Sequence, residues 1–301
     1  MSRPSPVLVA ASLLSVMAVL FLSSAAQARA RLGDRLSQRR AAQSAPVSVP
    51  ANVRVWRDQS YGSDPRQRYD VYAPVGAATA PTLFMVHGGG WRFGDKALRS
   101  VVQAKVEHWT ARGYVVISTN YRMLPDADPL VQARDVATAV ASAQRNSARW
   151  GADPERFVLM GHSAGAHLVA LIAASPTLLA DAHARAVTGA VLLDSAGLDI
   201  ERLMAAPHMR LYDEAFGSDR AFWKAASPSA RLSAQGAPLL AVCSSQRRES
   251  CAQAHAFAAK AQRFGRRAQV LEEDLSHREI NTELGDGNAY TAAVDGFIRA
   301  L

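Results

Sequence analysis

The sequence predicts an α/β chain built on a mostly parallel sheet of eight strands with helices on both faces. Three observations carry this. Eight apolar runs of strand length follow one another from residue 52, a helical pattern separates each from the next from the third run onward, and one run passes through a glycine-flanked serine straight into an apolar helix. Strands joined by helical crossovers run parallel, because the chain must cross back before it can lay down a parallel neighbour. At 301 residues, 49% of them apolar, the chain has material for one large core.

Residues 1–30 carry Arg3, an apolar run from Val7 to Leu22, and small residues ending in Ala26-Gln27-Ala28 or Ala28-Arg29-Ala30. That is the layout of a secretory signal peptide. The run is shorter than the roughly 20 residues a membrane span needs, and no cysteine follows it for a lipid anchor. The expectation is an exported protein, periplasmic or extracellular, with no stable membrane anchor after cleavage. Residues 31–50 read as a basic, disordered linker, and residues 51–301 as a single domain.

Within that domain, strands are expected at 52–56, 68–74, 82–88, 114–121, 156–162, 190–196, 238–244 and 268–274. The intervening helices have their own punctuation. The stretch from Asp95 stops at Gly113, that from Asp128 has Pro129 in its first turn and Gly151 beyond its end, and that from Cys251 ends at Gly265. The formal net charge of +8 invites a nucleic-acid partner, but the arginines are scattered, and the one dense cluster (Arg29, Arg31, Arg35, Arg39, Arg40) lies in the linker region. No nucleic-acid partner is therefore expected.

The sharpest chemical signal is VLMGHSAGAHLVAL, in which a buried-type strand enters Gly161-His162-Ser163-Ala164-Gly165 and then a helix. In that strand-turn-helix context a G-x-S-x-G pattern presents its serine at a strained tip, and only glycines leave room for the turn to pack. A structural Gly/Ser turn is the bland alternative. Upstream, FMVHGGGWRFGDK ends the third strand with His87 and three glycines. Acyl transfer needs N–H donors aimed at the oxygen that becomes negative, and glycine backbone can approach it unobstructed. Gly88, Gly89 and the N–H of Ala164 are the expected oxyanion donors. The same glycines could form a phosphate loop, but the Gly-Lys-Ser/Thr ending is missing. No cluster has metal-ligand spacing, so neither metal nor cofactor is expected.

With these motifs the chain resembles the α/β-hydrolase superfamily, in the esterase branch that carries H-G-G-G-W and G-H-S-A-G, which includes hormone-sensitive-lipase-like carboxylesterases and kynurenine-formamidase-like proteins. The segments STNYRMLPDADPLVQARDVATAVA, GADPERFVLMGHSAGAHL, AFGSDRAFWKAASPSARL and LSHREINTELG extend the likeness over residues 50–301. The resemblance implies an α/β-hydrolase fold and a serine hydrolase acting on a small-molecule ester with a small or medium acyl group. An amidase or formamidase on the same residues is the alternative, as is an impaired hydrolase fold that only binds. His277, after the last strand, matches the general base.

The acid is less clear. The family pattern puts an Asp shortly after the seventh strand, where this chain has Gln246 or Arg247, and neither can orient an imidazole as a carboxylate does. Glu249 is the nearest carboxylate and the expected acid, with Asp199 and then Asp274 as rivals; the simple alternative for Glu249 is a solvated carboxylate beside Arg247 and Arg248. Cys243 and Cys251, the only cysteines, are expected to pair in an oxidising compartment, closing this loop and presenting Glu249 at its rim.

Overall fold

The computed structural model describes residues 47–301. The expected signal peptide and the linker up to residue 46 lie outside the described residues. The strands are β1 (Val53–Ser60), β2 (Arg68–Pro74), β3 (Ala80–Val86), β4 (Val115–Thr119), β5 (Ala152–His162), β6 (Gly189–Leu193), β7 (Leu239–Ser244) and β8 (Ala268–Glu273). The helices are α1 (Arg99–Thr110), α2 (Pro129–Asn146), α3 (Ala164–Ala174), α4 (Thr177–Asp181), α5 (Ile200–Ala205), α6 (Arg210–Phe216), α7 (Arg220–Ala226), α8 (Pro228–Arg231), α9 (Arg248–Arg263), α10 (Glu279–Thr282) and α11 (Ala289–Arg299).

All eight strands form one sheet in the order β1-β2-β4-β3-β5-β6-β7-β8. β1 pairs antiparallel with β2, and β2 with β4, while every pairing from β4 to β8 is parallel. The inner strands β3, β4, β6 and β7 are mostly apolar because both of their faces are covered. Along β3, Leu83 and Met85 enter one core layer while Phe84 and Val86 enter the other. The Phe84 layer packs under α2, α3, α9 and the short helices α5–α7, and the Leu83 layer under α1, α10 and α11. Fully buried aromatics such as Phe84 and Trp109 are each worth about 3–5 kcal/mol against truncation to alanine.

Because β5 pairs with β3, with Val86 opposite Gly161, the turns that leave these two strands lie side by side. That pairing brings the glycine loop to the serine. Local punctuation follows the sequence where capping is strong: the Asp128 side chain accepts from the N–H groups of Leu130 and Val131 ahead of Pro129. It departs elsewhere. The helix expected from Asp95 begins at Arg99, because Asp95 is used instead to accept from Asn120 Nδ2 and the N–H of Ala97. The third strand stops at Val86, leaving His87 and Gly88 in a loop, and the sixth stops at Leu193 rather than residue 196. The end of the expected linker is also ordered: Val47 is buried, and Ser48 exchanges hydrogen bonds with the Gln103 side chain on α1. No helix among the described residues is long and apolar enough to cross a membrane.

Candidate active site

Ser163 stands between β5 and α3 with φ +56 and ψ −119, a conformation that costs a non-glycine residue of order 1–3 kcal/mol and persists only when its surroundings enforce it. The two glycines enforce it sterically. A Cβ on Gly161 would lie 2.3 Å from the Gly165 carbonyl oxygen, and one on Gly165 would lie 2.3 Å and 2.5 Å from the carbonyl oxygens of Val86 and His87. The elbow is therefore clamped between β3 and its own helix.

The glycine loop is held as closely. A Cβ on Gly88 would meet the His162 carbonyl oxygen at 2.7 Å and Ser163 Cβ at 3.0 Å, so this backbone runs against the serine. Gly89 and Gly90 take positive φ, +123 and +61, which glycine adopts without strain. His87 Nδ1 donates to the Gly88 carbonyl at 2.8 Å, its ring stacks on Tyr121 at 4.5 Å between centroids, and the Tyr121 hydroxyl donates to the His87 carbonyl. Among the described residues none accepts from the N–H of Gly88, Gly89 or Ala164, the state expected of donors kept for an incoming oxygen.

Trp91 ties this loop to the rest of the site. Its indole N–H donates to His167 Nδ1 at 3.2 Å, and His167 Nε2 donates to the Ala226 carbonyl at 2.8 Å. The ring packs edge-on against Tyr212 and Phe216 of α6. Burial pushes His167 down to about 4 and His162 down to about 3, the latter also beside the His277 ring, so both are neutral hydrogen-bonding groups near pH 7. His162 Nε2 donates to the His277 carbonyl at 2.8 Å, which makes this histidine a support for the loop that carries the next one.

His277 follows β8 and reaches across the end of the sheet. The Ser163 hydroxyl lies 3.0 Å from its Nε2, and its Nδ1 lies 2.5 Å from Asp194 Oδ2. Asp194 directly follows β6 with φ +52 and is fully buried. Burial alone would raise its carboxyl. The hydrogen bonds from His277, the Ser244 N–H and the Ser250 hydroxyl, with the nearby Arg247 charge, more than offset this and hold it well below the usual carboxylate range.

The carboxylate next to His277 is thus Asp194, not the expected Glu249. Glu249 sits half-exposed in the first turn of α9 and pairs with Arg202 at 3.3 Å and with Gln253 Nε2 at 3.1 Å. Asp199 caps α5 by accepting from the Arg202 N–H, and Asp274 faces Gln246 and Ser245. None of the three touches His277. The residue after β7 that lies beside its Nδ1 is Arg247, with Nη1 2.7 Å away. Cys243 and Cys251 do form the disulfide, with Cα atoms 5.1 Å apart, but the loop it closes presents Arg247 to His277 instead of Glu249. The missed signal was Asp194 itself. The run AVLLDSA reads as an unbroken strand, yet a carboxylate after four apolar residues at the C-terminal end of a parallel strand stands where such sheets place their ligands.

Gly89, Gly90, Trp91, Met209, Leu211 and Tyr212 line a cleft of about 500 Å³ that opens over Ser163 and His277. Among the described residues no cluster of His, Cys, Asp or Glu could hold a metal ion.

Sheet order, elbow and the Ser163–His277–Asp194 arrangement together define an α/β hydrolase with a serine-centred site. Within that class the chain belongs to the BD-FAE family, whose model matches residues 69–248. Among curated proteins it is similar to a probable isoprenylcysteine alpha-carbonyl methylesterase of Arabidopsis thaliana, 33% identical over 117 residues covering 38% of this chain and 24% of that protein. It is also similar to esterase LipC of Mycobacterium tuberculosis, 37% identical over 113 residues covering 37% and 28%. The matched stretch thus spans about a quarter of these relatives. The crystal structure of esterase B from Lactobacillus rhamnosis has the same fold, with a TM-score of 0.70 at 20% identity, covering 92% of this chain and 94% of that one.

Proposed function

We propose that the protein is an exported serine carboxylesterase that cleaves esters of small or medium acyl groups through an acyl-enzyme. The observation that carries this reading is the continuous path from the Ser163 hydroxyl through His277 to the buried Asp194 carboxylate, beside backbone N–H groups with no partner among the described residues. Ser163 Oγ attacks the ester carbonyl as its proton passes to His277 Nε2. The resulting oxyanion is held by the N–H groups of Gly88, Gly89 and Ala164, and Asp194 fixes the imidazole tautomer and stabilises the imidazolium. Collapse expels the alcohol, which takes the proton from His277. A water then attacks the acyl group with His277 again as base, releasing the acid and free Ser163.

The apolar walls at Trp91, Met209, Leu211 and Tyr212 suit a short aliphatic or aromatic group. The case for an impaired, merely binding fold rested on a missing acid, and Asp194 removes it. Export is supported by the leader pattern of residues 1–30 and by the Cys243–Cys251 bridge, a bond favoured in oxidising compartments. A fluorophosphonate probe followed by mass spectrometry tests the reading, together with hydrolysis of p-nitrophenyl butyrate. The expected result is an adduct on Ser163 and turnover, both lost in Ser163→Ala; an unlabelled Ser163 in the wild-type protein would sink it.

A further inference from the structure

Asp194 has room for about four hydrogen bonds, two at each oxygen, and all four are filled. Oδ1 accepts from the Ser244 N–H at 3.0 Å and from the Ser250 hydroxyl at 2.5 Å. Oδ2 accepts from His277 Nδ1 at 2.5 Å and from Arg247 Nη1 at 2.5 Å. The same Arg247 nitrogen lies 3.2 Å from the Asp194 main-chain oxygen. Every donor except His277 therefore comes from residues 244–250, the segment enclosed by the Cys243–Cys251 bridge. A carboxylate with no exposed surface must be paired to remain ionised.

Resting on the esterase reading, we propose that Arg247 is a positioning residue: it locks the Asp194 carboxylate in the rotamer that faces His277. Its charge helps keep Asp194 ionised but does not help His277. A guanidinium 2.7 Å from the imidazole opposes the positive charge that His277 takes on during attack, so its contribution toward His277 is geometric: one nitrogen bridging the side chain and the main chain of the same aspartate. The alternative task for Arg247 is contact with substrate, since its side chain is 29% exposed and lines the cleft. The contacts already made by Nη1 favour positioning.

The test compares Arg247→Met and Arg247→Lys, in the wild-type and Asp194→Asn backgrounds of the full chain, on p-nitrophenyl butyrate. Arg247→Met should lower kcat by about 10- to 100-fold, the size found for outer partners that orient metal-ligating side chains, with KM nearly unchanged. Arg247→Lys, which keeps a donor for Oδ2, should recover most of that loss. In Asp194→Asn, Arg247→Met should cost little more, because the two residues act as one unit. A rise in KM at constant kcat, or an undiminished loss in Asp194→Asn, overturns the proposal and assigns Arg247 to substrate contact. The low-field NMR resonance of the His277 Nδ1 proton reads the same geometry without turnover. It should broaden or move upfield in Arg247→Met. An unchanged resonance in Arg247→Met overturns the proposal, whereas the expected change in that variant, found together with a wild-type protein that hydrolyses no ester, overturns only the esterase reading.

Discussion

The two halves of the site are built by different physics. On the nucleophile side, the β3 loop and the β5–α3 elbow are shaped by backbone contacts so close that side chains are excluded, as the 2.3 Å positions beyond Gly161 and Gly165 demonstrate. On the acid–base side, Asp194, Arg247 and His277 meet through charged and polar side chains drawn from three separate loops, across 53 and 83 residues of sequence. Steric construction leaves a local trace in sequence, in the form of glycines at fixed spacing. Side-chain construction leaves almost none.

Asp194→Asn is the largest expected break on the polar side. Asparagine keeps the volume but offers a neutral amide in place of the ionised acceptor, and kcat should fall about 10⁴-fold with little change in KM. Full activity in that variant would return the acid's role to another carboxylate. On the steric side, Gly165→Ala drives a methyl into the Val86 and His87 carbonyls, an overpacking that costs about 1–3 kcal/mol. It should appear as a lowered midpoint in urea unfolding, with the Ser163 labelling rate falling in parallel.

Acid should undo the two sides in sequence. His87, His162 and His167 are all held below the ordinary histidine value by burial. The unfolded chain then binds protons that the folded one refuses, so stability is fully present above about pH 6.5 and is lost as pH falls toward about 4 for His167 and about 3 for His162. Each histidine that stays neutral contributes a slope of about 1.4 kcal/mol per pH unit. Asp194, also depressed, adds its loss only below the ordinary carboxylate range. A Tm series should therefore stay level from pH 7.5 to about 6.5 and fall from there to pH 4.5, and a series flat throughout would remove the buried-histidine account. The smallest effect is reserved for Glu249→Gln: half-exposed and paired among the described residues with Arg202 and Gln253, this carboxylate should change stability by no more than about 0.5 kcal/mol and leave kcat/KM intact.

The same contrast explains what the sequence disclosed. The eight strands, their parallel run, Ser163, His277 and the glycine loop were all legible, because each is marked by a periodicity or by a residue whose absence of side chain is the signal. Element ends were not: β3 and β6 stop two and three residues short of expectation, and the second of these errors concealed Asp194 inside an apolar run. Gln246 or Arg247 stands where the resemblance implies an acid, and neither a neutral amide nor a permanent cation can orient an imidazole as a carboxylate does; that the carboxylate beside His277 comes from the neighbouring strand is a tertiary fact with no local mark. The disulfide forms as its two cysteines lead one to expect, but its loop delivers donors to Asp194 rather than an acceptor to His277.

The sheet also works as a ruler. Ser163, Asp194, Arg247 and His277 leave the ends of β5, β6, β7 and β8, four neighbours in unbroken order, and adjacent strands are spaced by about 4.8 Å. Shifting an acid from β7 to β6 therefore moves its anchor by one graduation, a step that a histidine loop can span and that one long side chain can fill. A parallel sheet of this kind tolerates the exchange of catalytic duties between adjacent strands because its spacing is shorter than the reach of the residues it carries.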